Sequence, residues 1–352
     1  MGRLTIFVFI CFLWSTVICK AQKSAVIKVT DRQQFAQLGD FKLEGGGILK
    51  DCRVGYRTYG HLNESRTNGV LFPTWFGGTA KNVEQYMSPW KVVDTTRFFL
   101  IIVDALGDGV SSSPSNSVRQ HGPAFPAFSI GDMVQSQYQL LIQKLNIKHL
   151  HAVMGISMGG FQTFQWGVSF PDFADCLIPL VGSPQLNGYD LYNLNIVRKI
   201  IEADTAFNHG HYKVNPIIAP AAMYLDFSLT TPAYKAKTIP RENFYALLKN
   251  VEKAPRATDW NDTYYQLIAV LGQDIAKNYN GSLSEAAKHI KAKMLIITSL
   301  QDHLVNPAPA IAFSKLLPAK LIMLNSELGH QAPNFDDPEQ KIAIKEILAA
   351  EK

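Results

Sequence analysis

The chain has 352 residues, of which 47% are hydrophobic, and its formal net charge is +5 at pH 7. This length and composition suffice for one large domain, or a domain with an insertion, around a full hydrophobic core. The positive surplus is small and no basic run accompanies it, which argues against nucleic acid as the main partner.

The first residues have the pattern of a signal peptide. Gly2-Arg3 gives a short positive start, the run from Leu4 to Cys19 carries no charged residue, and Lys20-Ala21 follows. Cleavage after Ala21 meets the small-residue rule. The alternative is an uncleaved membrane anchor. We expect a signal peptide over residues 1–21, a secreted or periplasmic location, and no stable membrane anchor after processing.

Processing would leave two of the four cysteines, Cys52 and Cys176, both in apolar or strand-like surroundings. A disulfide in an oxidising compartment is one outcome for them, and two buried unpaired thiols are the other. The sequence leaves both open.

Short apolar runs alternate with helical patterns, which predicts a mostly parallel, doubly wound α/β sheet with crossover helices. An antiparallel hairpin is predicted from Lys42 to Tyr59, with Gly45-Gly46-Gly47 in its turn. A helix is predicted from Asp132 to Leu145, and Ser129 ahead of it completes a capping box. The predicted strands are Val70 to Phe72, Phe98 to Val103, His151 to Met154, Leu177 to Val181, Met294 to Thr298 and Leu321 to Leu324.

The most informative motif is Gly155-Ile156-Ser157-Met158-Gly159, which stands between a predicted strand and a helical pattern that starts at Gly160. A Gly-x-Ser-x-Gly sequence at a strand-to-helix junction is typical of the nucleophile elbow of α/β-hydrolases. The tight turn strains the backbone of the serine, and a side chain at either flanking glycine would collide with the neighbouring strand or helix. The motif predicts Ser157 as a nucleophile.

The region from about Asn187 to His289 interrupts the alternation of strands and helices. It has helical patches and several prolines but no convincing strand. A hundred residues inserted just beyond the nucleophile favour a helical lid over ordinary crossover helices. We therefore predict a hydrolase core over 22–186 and 290–352 and a lid over 187–289.

A serine nucleophile needs a histidine base that is itself held by a carboxylate. In this fold the acid follows a late strand and the histidine follows the last one. Asp302 and His330 occupy these places, and both would lie at the carboxyl edge of the sheet. His303 is the rival base, but its neighbour Asp302 cannot easily contact it. The rival acids, Glu327 and Asp337, do not directly follow a strand.

An oxyanion hole requires two N–H donors directed at the developing negative charge. Met158 is predicted to supply one through its backbone. The second is predicted in the loop Pro73-Thr74-Trp75-Phe76-Gly77-Gly78-Thr79, from Phe76 or alternatively from Gly77. We expect the loop that starts at Asp104 to line the pocket.

We expect no metal and no cofactor. His209 and His211 form a close pair, but no third ligand is spaced to complete a metal site.

These motifs together resemble the homoserine O-acetyltransferase family of α/β-hydrolases, most strongly from about Gly69 to Pro184. The family's oxyanion loop aligns with Thr74 to Gly78, its elbow with Gly155 to Gly160, and its acid and histidine motifs with Gln301 to Leu304 and Gly329 to Gln331. The resemblance implies that Arg198 holds a substrate carboxylate and that the protein forms a homodimer through the lid.

Two departures from the family pattern concern the substrate. The acid expected after the histidine is Gln331, and the family's Thr-Tyr-Arg lid segment has no clear counterpart around Leu229 to Pro232. An exported protein would also meet little acetyl-CoA. We therefore predict an exported serine hydrolase that cleaves an ester or related acyl substrate, a small molecule, through an acyl-enzyme on Ser157. The alternative is an O-acyltransferase of the homoserine O-acetyltransferase type, with acetyl-CoA as donor.

Overall fold

A computed structural model describes residues 33–253 and 257–350. The predicted signal peptide, 1–21, lies outside these residues. In the described part of the chain, no helix is long and apolar enough to cross a membrane.

The centre of the fold is one sheet of eight strands in the order β1-β2-β4-β3-β5-β6-β7-β8. Strands β3 to β8 run parallel, and the β1–β2 hairpin joins them through an antiparallel β2–β4 pairing. The strands are β1 Gln34–Lys42, β2 Ile48–Tyr59, β3 Gly69–Pro73, β4 Phe99–Val103, β5 Leu150–Ile156, β6 Ala174–Leu180, β7 Lys293–Ser299 and β8 Ala319–Leu324.

Eleven α-helices lie among the described residues. They are α1 Ala80–Asn82, α2 Ile130–Gln139, α3 Met158–Ser169, α4 Gly188–Ala203, α5 Ala219–Leu229, α6 Pro232–Thr238, α7 Phe244–Lys253, α8 Trp260–Leu271, α9 Leu283–His289, α10 Ala308–Phe313 and α11 Pro338–Ala349. Helix α2 begins with the predicted capping box of Ser129 and Asp132. It ends at Gln139, where a π-helical turn over Leu140–Lys144 replaces the rest of the predicted helix.

The sheet is covered on both faces, because alternate residues of each strand point to opposite sides. Val70 and Phe72 of β3 pack in a cluster that includes residues of α11, whereas Leu71 between them packs in a cluster that includes residues of α3. The predicted α/β-hydrolase fold with a mostly parallel, doubly wound sheet is therefore confirmed.

The predicted hairpin is correct in its turn but wrong in its first strand. Leu43 and Gly47 pair across the turn, yet β1 ends at Lys42 rather than starting there. The pattern before Lys42 was obscured because a bulge around Gly39 interrupts the register between β1 and β2, which breaks the alternation of buried and exposed residues.

Between β6 and β7 the described residues form six α-helices, α4 to α9, and no named strand. Three of them, α4, α5 and α8, share a buried cluster with Met158 and Phe161, which follow Ser157 at the carboxyl edge of the sheet. The end of the segment packs differently, because Ile275 and Ala286 belong to the sheet-side cluster of Phe164. The insertion therefore packs beside the serine through α4, α5 and α8 and returns to the sheet at its end, through Ile275 and α9.

Candidate active site

Ser157 lies in the turn between β5 and α3, in the strained backbone that its motif predicts. Its φ of 58° and ψ of −121° are values that residues other than glycine rarely adopt. The flanking glycines make the turn feasible. A Cβ on Gly155 would collide with the backbone of Gly159, and one on Gly159 would lie 2.5 Å from the Pro73 carbonyl oxygen. The strain leaves the serine half-buried, at the carboxyl edge of the sheet.

His330 and Asp302 reach Ser157 from the loops after the last two strands. His330 Nε2 lies 2.8 Å from Ser157 Oγ, and His330 Nδ1 lies 2.6 Å from Asp302 Oδ2. The other carboxylate oxygen of Asp302 accepts the amides of Leu304 and Val305 at 2.9 and 2.8 Å. Asp302 therefore orients His330, which in turn contacts Ser157, and backbone amides hold Asp302 in place. This arrangement can deprotonate a serine and hold the resulting imidazolium.

The rival residues lie elsewhere. The His303 side chain is exposed, and its carbonyl oxygen accepts the Tyr189 hydroxyl proton at 3.1 Å. Glu327 forms an ion pair with Lys237 at 2.6 Å. Asp337 caps the start of α11. Among the candidate acids and bases, only Asp302 and His330 therefore form the hydrogen-bonded chain to Ser157.

Phe76 and Met158, the residues predicted to carry the oxyanion donors, line the same small cavity as Ser157. Met158 opens the first turn of α3, where backbone amides have no partner inside the helix. In the oxyanion loop (residues 74–79), the amide of Gly77 donates to Gln266 Oε1 at 2.8 Å. Since the Gly77 amide is engaged, Phe76 is the better candidate for the second donor.

Buried polar contacts hold the oxyanion loop from below. The Thr74 amide donates to the Val103 carbonyl at 3.0 Å, and Gln162 Nε2 lies 3.1 Å from the carbonyl oxygens of both Thr74 and Met158. Gln162 therefore links the two segments that carry the predicted oxyanion donors. Sequence reasoning missed it, although a glutamine within the apolar helical pattern after Gly160 is a recognisable signal.

The loop that starts at Asp104 does not line the pocket as expected. Asp104 is buried, and its carboxylate accepts the Ala80 amide at 2.6 Å just beyond the oxyanion loop. Burial raises the pKa of Asp104 and, more strongly, that of Asp108, which also feels the charge of Asp104. The expectation was wrong because the short serine side chains that follow, such as Ser111, fold back onto the loop's own backbone. The loop supports the oxyanion loop from beneath.

Gln266 of α8 is the second residue that sequence reasoning missed. It is fully buried, accepts the Gly77 amide through Oε1, and donates through Nε2 to the Leu106 carbonyl at 3.1 Å. The insertion thus contributes a direct hydrogen bond to the oxyanion loop. The available signal was a lone uncharged amide on the apolar face of the Trp260–Leu271 helix.

Two cavities of unequal size meet at Ser157. The smaller, of about 40 Å³, has an apolar lining that includes Phe161, Leu267 and Val270. The larger, of about 870 Å³, is an open cleft whose lining includes His330 and Gln331. His330 lines only the larger one.

Arg198 does not reach either cavity. It lies on α4 with its Nε 3.6 Å from Glu202 Oε1, one turn further along the same helix. Neither cavity lining includes it among the described residues. The Arg198 Nε is buried and has no hydrogen-bond partner in the part of the chain that the structure describes.

The structure shows no metal site among the residues that it describes. No group of three or more His, Cys, Asp or Glu side chains there could hold a metal ion. Cys52 and Cys176 are buried and unpaired.

Residues 70–331 match the family described as having the alpha/beta hydrolase fold. The chain belongs to the α/β hydrolase family. Its mostly parallel sheet and its Gly-x-Ser-x-Gly turn are the features that the family shares.

Its relatives include both esterases and acyltransferases. An ethyl acetate hydrolase from Pseudomonas veronii is 28% identical over 84% of this chain and 88% of its own length. A homoserine O-acetyltransferase from Methanococcoides burtonii is 30% identical over 76% of this chain and 62% of its own length. The crystal structure of an acetylester hydrolase from Corynebacterium glutamicum superimposes with a TM-score of 0.83, at 26% identity, over 91% of this chain and 96% of the other.

The predicted resemblance to homoserine O-acetyltransferases is thereby confirmed, and the chain resembles esterases as well. The chain is an enzyme of the serine hydrolase and acyltransferase kind within the α/β hydrolase fold.

Proposed function

We propose that this protein is an exported ester hydrolase that removes a short acyl group through an acyl-enzyme on Ser157. The hydrogen-bonded chain from Asp302 through His330 to Ser157, open to both cavities, carries the proposal. Ser157 Oγ attacks the ester carbonyl while His330 Nε2 takes its proton. The amides of Phe76 and Met158 hold the oxyanion, and Asp302 orients and charge-balances the imidazolium.

The second half of the reaction returns the enzyme to its starting state. His330 gives its proton to the departing alkoxide oxygen, and the C–O bond of the ester breaks. Water then enters, His330 removes one of its protons, and the hydroxide attacks the acyl carbon. The acid leaves as the proton returns to Ser157 Oγ.

The small cavity supports a short acyl group. A volume of about 40 Å³ compares with about 10–15 Å³ of the same measure for one water molecule. Roughly three non-hydrogen atoms therefore fit, which suits an acetyl or propionyl group. The walls include Phe161, Leu194 and Val305, so the acyl chain meets only apolar side chains beyond the oxyanion hole.

The cleft supports water as acceptor over homoserine. Gln331, where the resembled family has an acid, lines the cleft as a neutral amide. The carboxylate of Asp226, also in the lining, is balanced by Lys235 at 2.6 Å. A zwitterionic acceptor would find no unpaired charge at these two positions to hold its ammonium group.

Acyl transfer remains the second candidate, because a homoserine O-acetyltransferase is among the relatives. We expect the purified protein to hydrolyse p-nitrophenyl acetate at steady state and to form no O-acetylhomoserine when acetyl-CoA and homoserine are added. A transfer product formed faster than acetate would replace hydrolysis with transfer. A p-nitrophenyl hexanoate kcat/KM at least tenfold below that of the acetate is the expected signature of the small cavity.

Export is tested separately. We expect the protein to be recovered outside the cytoplasm with Gln22 as its first residue. A membrane-bound chain that retains Met1 would contradict the signal peptide and favour an anchor.

We also propose that the protein forms a homodimer through the predicted lid, where Tyr192 and Tyr245 are 74% and 77% exposed. Gel filtration at several protein concentrations tests this proposal.

A further inference from the structure

The two cavities at Ser157 take opposite halves of an ester. In the reaction proposed above, His330 hands its proton to the departing alcohol, so the alcohol must lie on the side of His330. Only the 870 Å³ cleft has His330 in its lining. The acyl group therefore occupies the 40 Å³ cavity, and the alcohol occupies the cleft.

The size of the cleft does not suit a small alcohol. Its volume falls within the range of about 300–1,000 Å³ that is typical of sites for drug-sized ligands. An ethyl group would leave most of it filled with water. A larger alcohol would remove apolar side chains from water and gain binding free energy in proportion to the area buried.

The lining shows which large alcohols fit. Apolar side chains reach the cleft from three segments, including Met87 after α1, Leu229 on α5 and Leu328 before His330. The polar positions include neutral amides, among them Asn82 and Asn334. The Asp226 carboxylate is already balanced by Lys235. The described residues of the cleft thus offer apolar surface, a few amide hydrogen bonds and no unbalanced carboxylate.

We propose that this cleft is an alcohol subsite and that the substrate is a short-acyl ester of a bulky, uncharged, largely apolar alcohol, such as an arylalkyl or alicyclic alcohol. This assignment rests on the proposed hydrolase function. It makes the enzyme selective in opposite senses on the two sides of the ester bond: small on the acyl side and large on the alcohol side.

The test compares acetate esters of three primary alcohols: ethyl acetate, 2-phenylethyl acetate and 2-cyclohexylethyl acetate. The acyl group is constant and the reacting oxygen is always on a primary carbon, so the leaving-group chemistry differs little. We expect kcat/KM to be at least tenfold higher for the two bulky esters. We also expect 2-phenylethanol, but not ethanol at the same concentration, to inhibit competitively.

The variant Ala222→Trp places an indole in the cleft from α5. We expect it to lower kcat/KM for the bulky esters at least tenfold and for ethyl acetate less than threefold. Ala236→Trp makes the same change at an exposed position on α6 outside the lining and should alter neither. Tyr86→Ala, which trims an exposed lining residue, provides a second variant if the tryptophan prevents folding.

The outcomes separate the two levels of the proposal. Equal kcat/KM for all three acetates in the wild type, or an equal loss for all of them in Ala222→Trp, would overturn the subsite while Ser157-dependent hydrolysis stands. Failure to hydrolyse any of the esters would overturn the proposed function and this assignment with it.

Discussion

The carboxyl edge of the sheet and the helical insertion above it contribute different things to the same site. The sheet edge supplies the proposed nucleophile, its base and the acid that orients the base: Ser157, His330 and Asp302 each follow a parallel strand. The insertion supplies much of the apolar wall, including Leu194, Leu225 and Val270. The difference indicates that the sheet determines which reaction takes place and the insertion determines on which substrate.

The variant Ser157→Ala is the strongest test of whether the sheet edge supplies the reacting groups. We expect kcat to fall by about 10⁶-fold, because the nucleophile is lost while the packing and the oxyanion donors remain. The measurement is single-turnover release from p-nitrophenyl acetate, with thermal unfolding to show that the fold survives. Retention of substantial turnover would transfer the chemistry to another group.

Asp302→Asn comes next in size. An amide can hold the imidazole in the wrong tautomer and cannot balance its charge, so kcat should fall by roughly 10⁴-fold. The matched control is His303→Asn, which alters the next residue along the same loop but an exposed one. It should change kcat by less than twofold, and a large loss there would revive His303 as a base.

Gln266 is an exception to this division between sheet edge and insertion. It belongs to the insertion, yet its side chain accepts a hydrogen bond from the Gly77 amide of the oxyanion loop. In Gln266→Leu the Gly77 amide loses its acceptor, and the adjacent Phe76 amide is no longer held in place. We expect kcat to fall by roughly tenfold to a hundredfold with KM little changed, somewhat less than the loss of a whole oxyanion donor.

A positioning role can be told from a merely structural one. Binding of a tetrahedral boronate inhibitor should weaken in Gln266→Leu by the same factor as kcat. Gln273→Leu is the control, since Gln273 is also buried but donates to Ser183, away from the loop. If both variants lower thermal stability alike and neither weakens the boronate, Gln266 only supports the fold.

The variant Val270→Ala tests whether the insertion limits the size of the acyl group. It removes two methyl groups from the wall of the small cavity. We expect the kcat/KM ratio of p-nitrophenyl butyrate to acetate to rise by about tenfold, because one or two further carbons then fit. Ile268→Ala, on the same helix but outside the lining, should leave the ratio unchanged. An unchanged ratio in both would place the acyl group elsewhere.

The same division explains what the sequence could and could not predict. Ser157, Asp302 and His330 were found because parallel strands bring their carboxyl ends to one edge, so short motifs after strands suffice to bring them together. The insertion has no such rule, since the face that each helix turns toward the serine depends on tertiary packing. Gln266 was missed for that reason, and Arg198, predicted to bind a substrate carboxylate, lies outside the lining of both cavities.

Arg198 gives the smallest expected effect and tests that last expectation. Its guanidinium lies beside Glu202 on α4, in an i,i+4 pair whose side chains are 32% and 31% exposed, and pairs of this kind contribute about 0.3–0.5 kcal/mol. Arg198→Ala should therefore change kcat/KM for ethyl acetate by less than twofold and stability only slightly. Lys199→Ala, at an exposed neighbour that pairs with the same glutamate, is the matched control. If Arg198→Ala alone raised KM tenfold for an ester that bears a carboxylate, the arginine would reach the cleft during turnover, and the insertion would have to move over the sheet to bring it there.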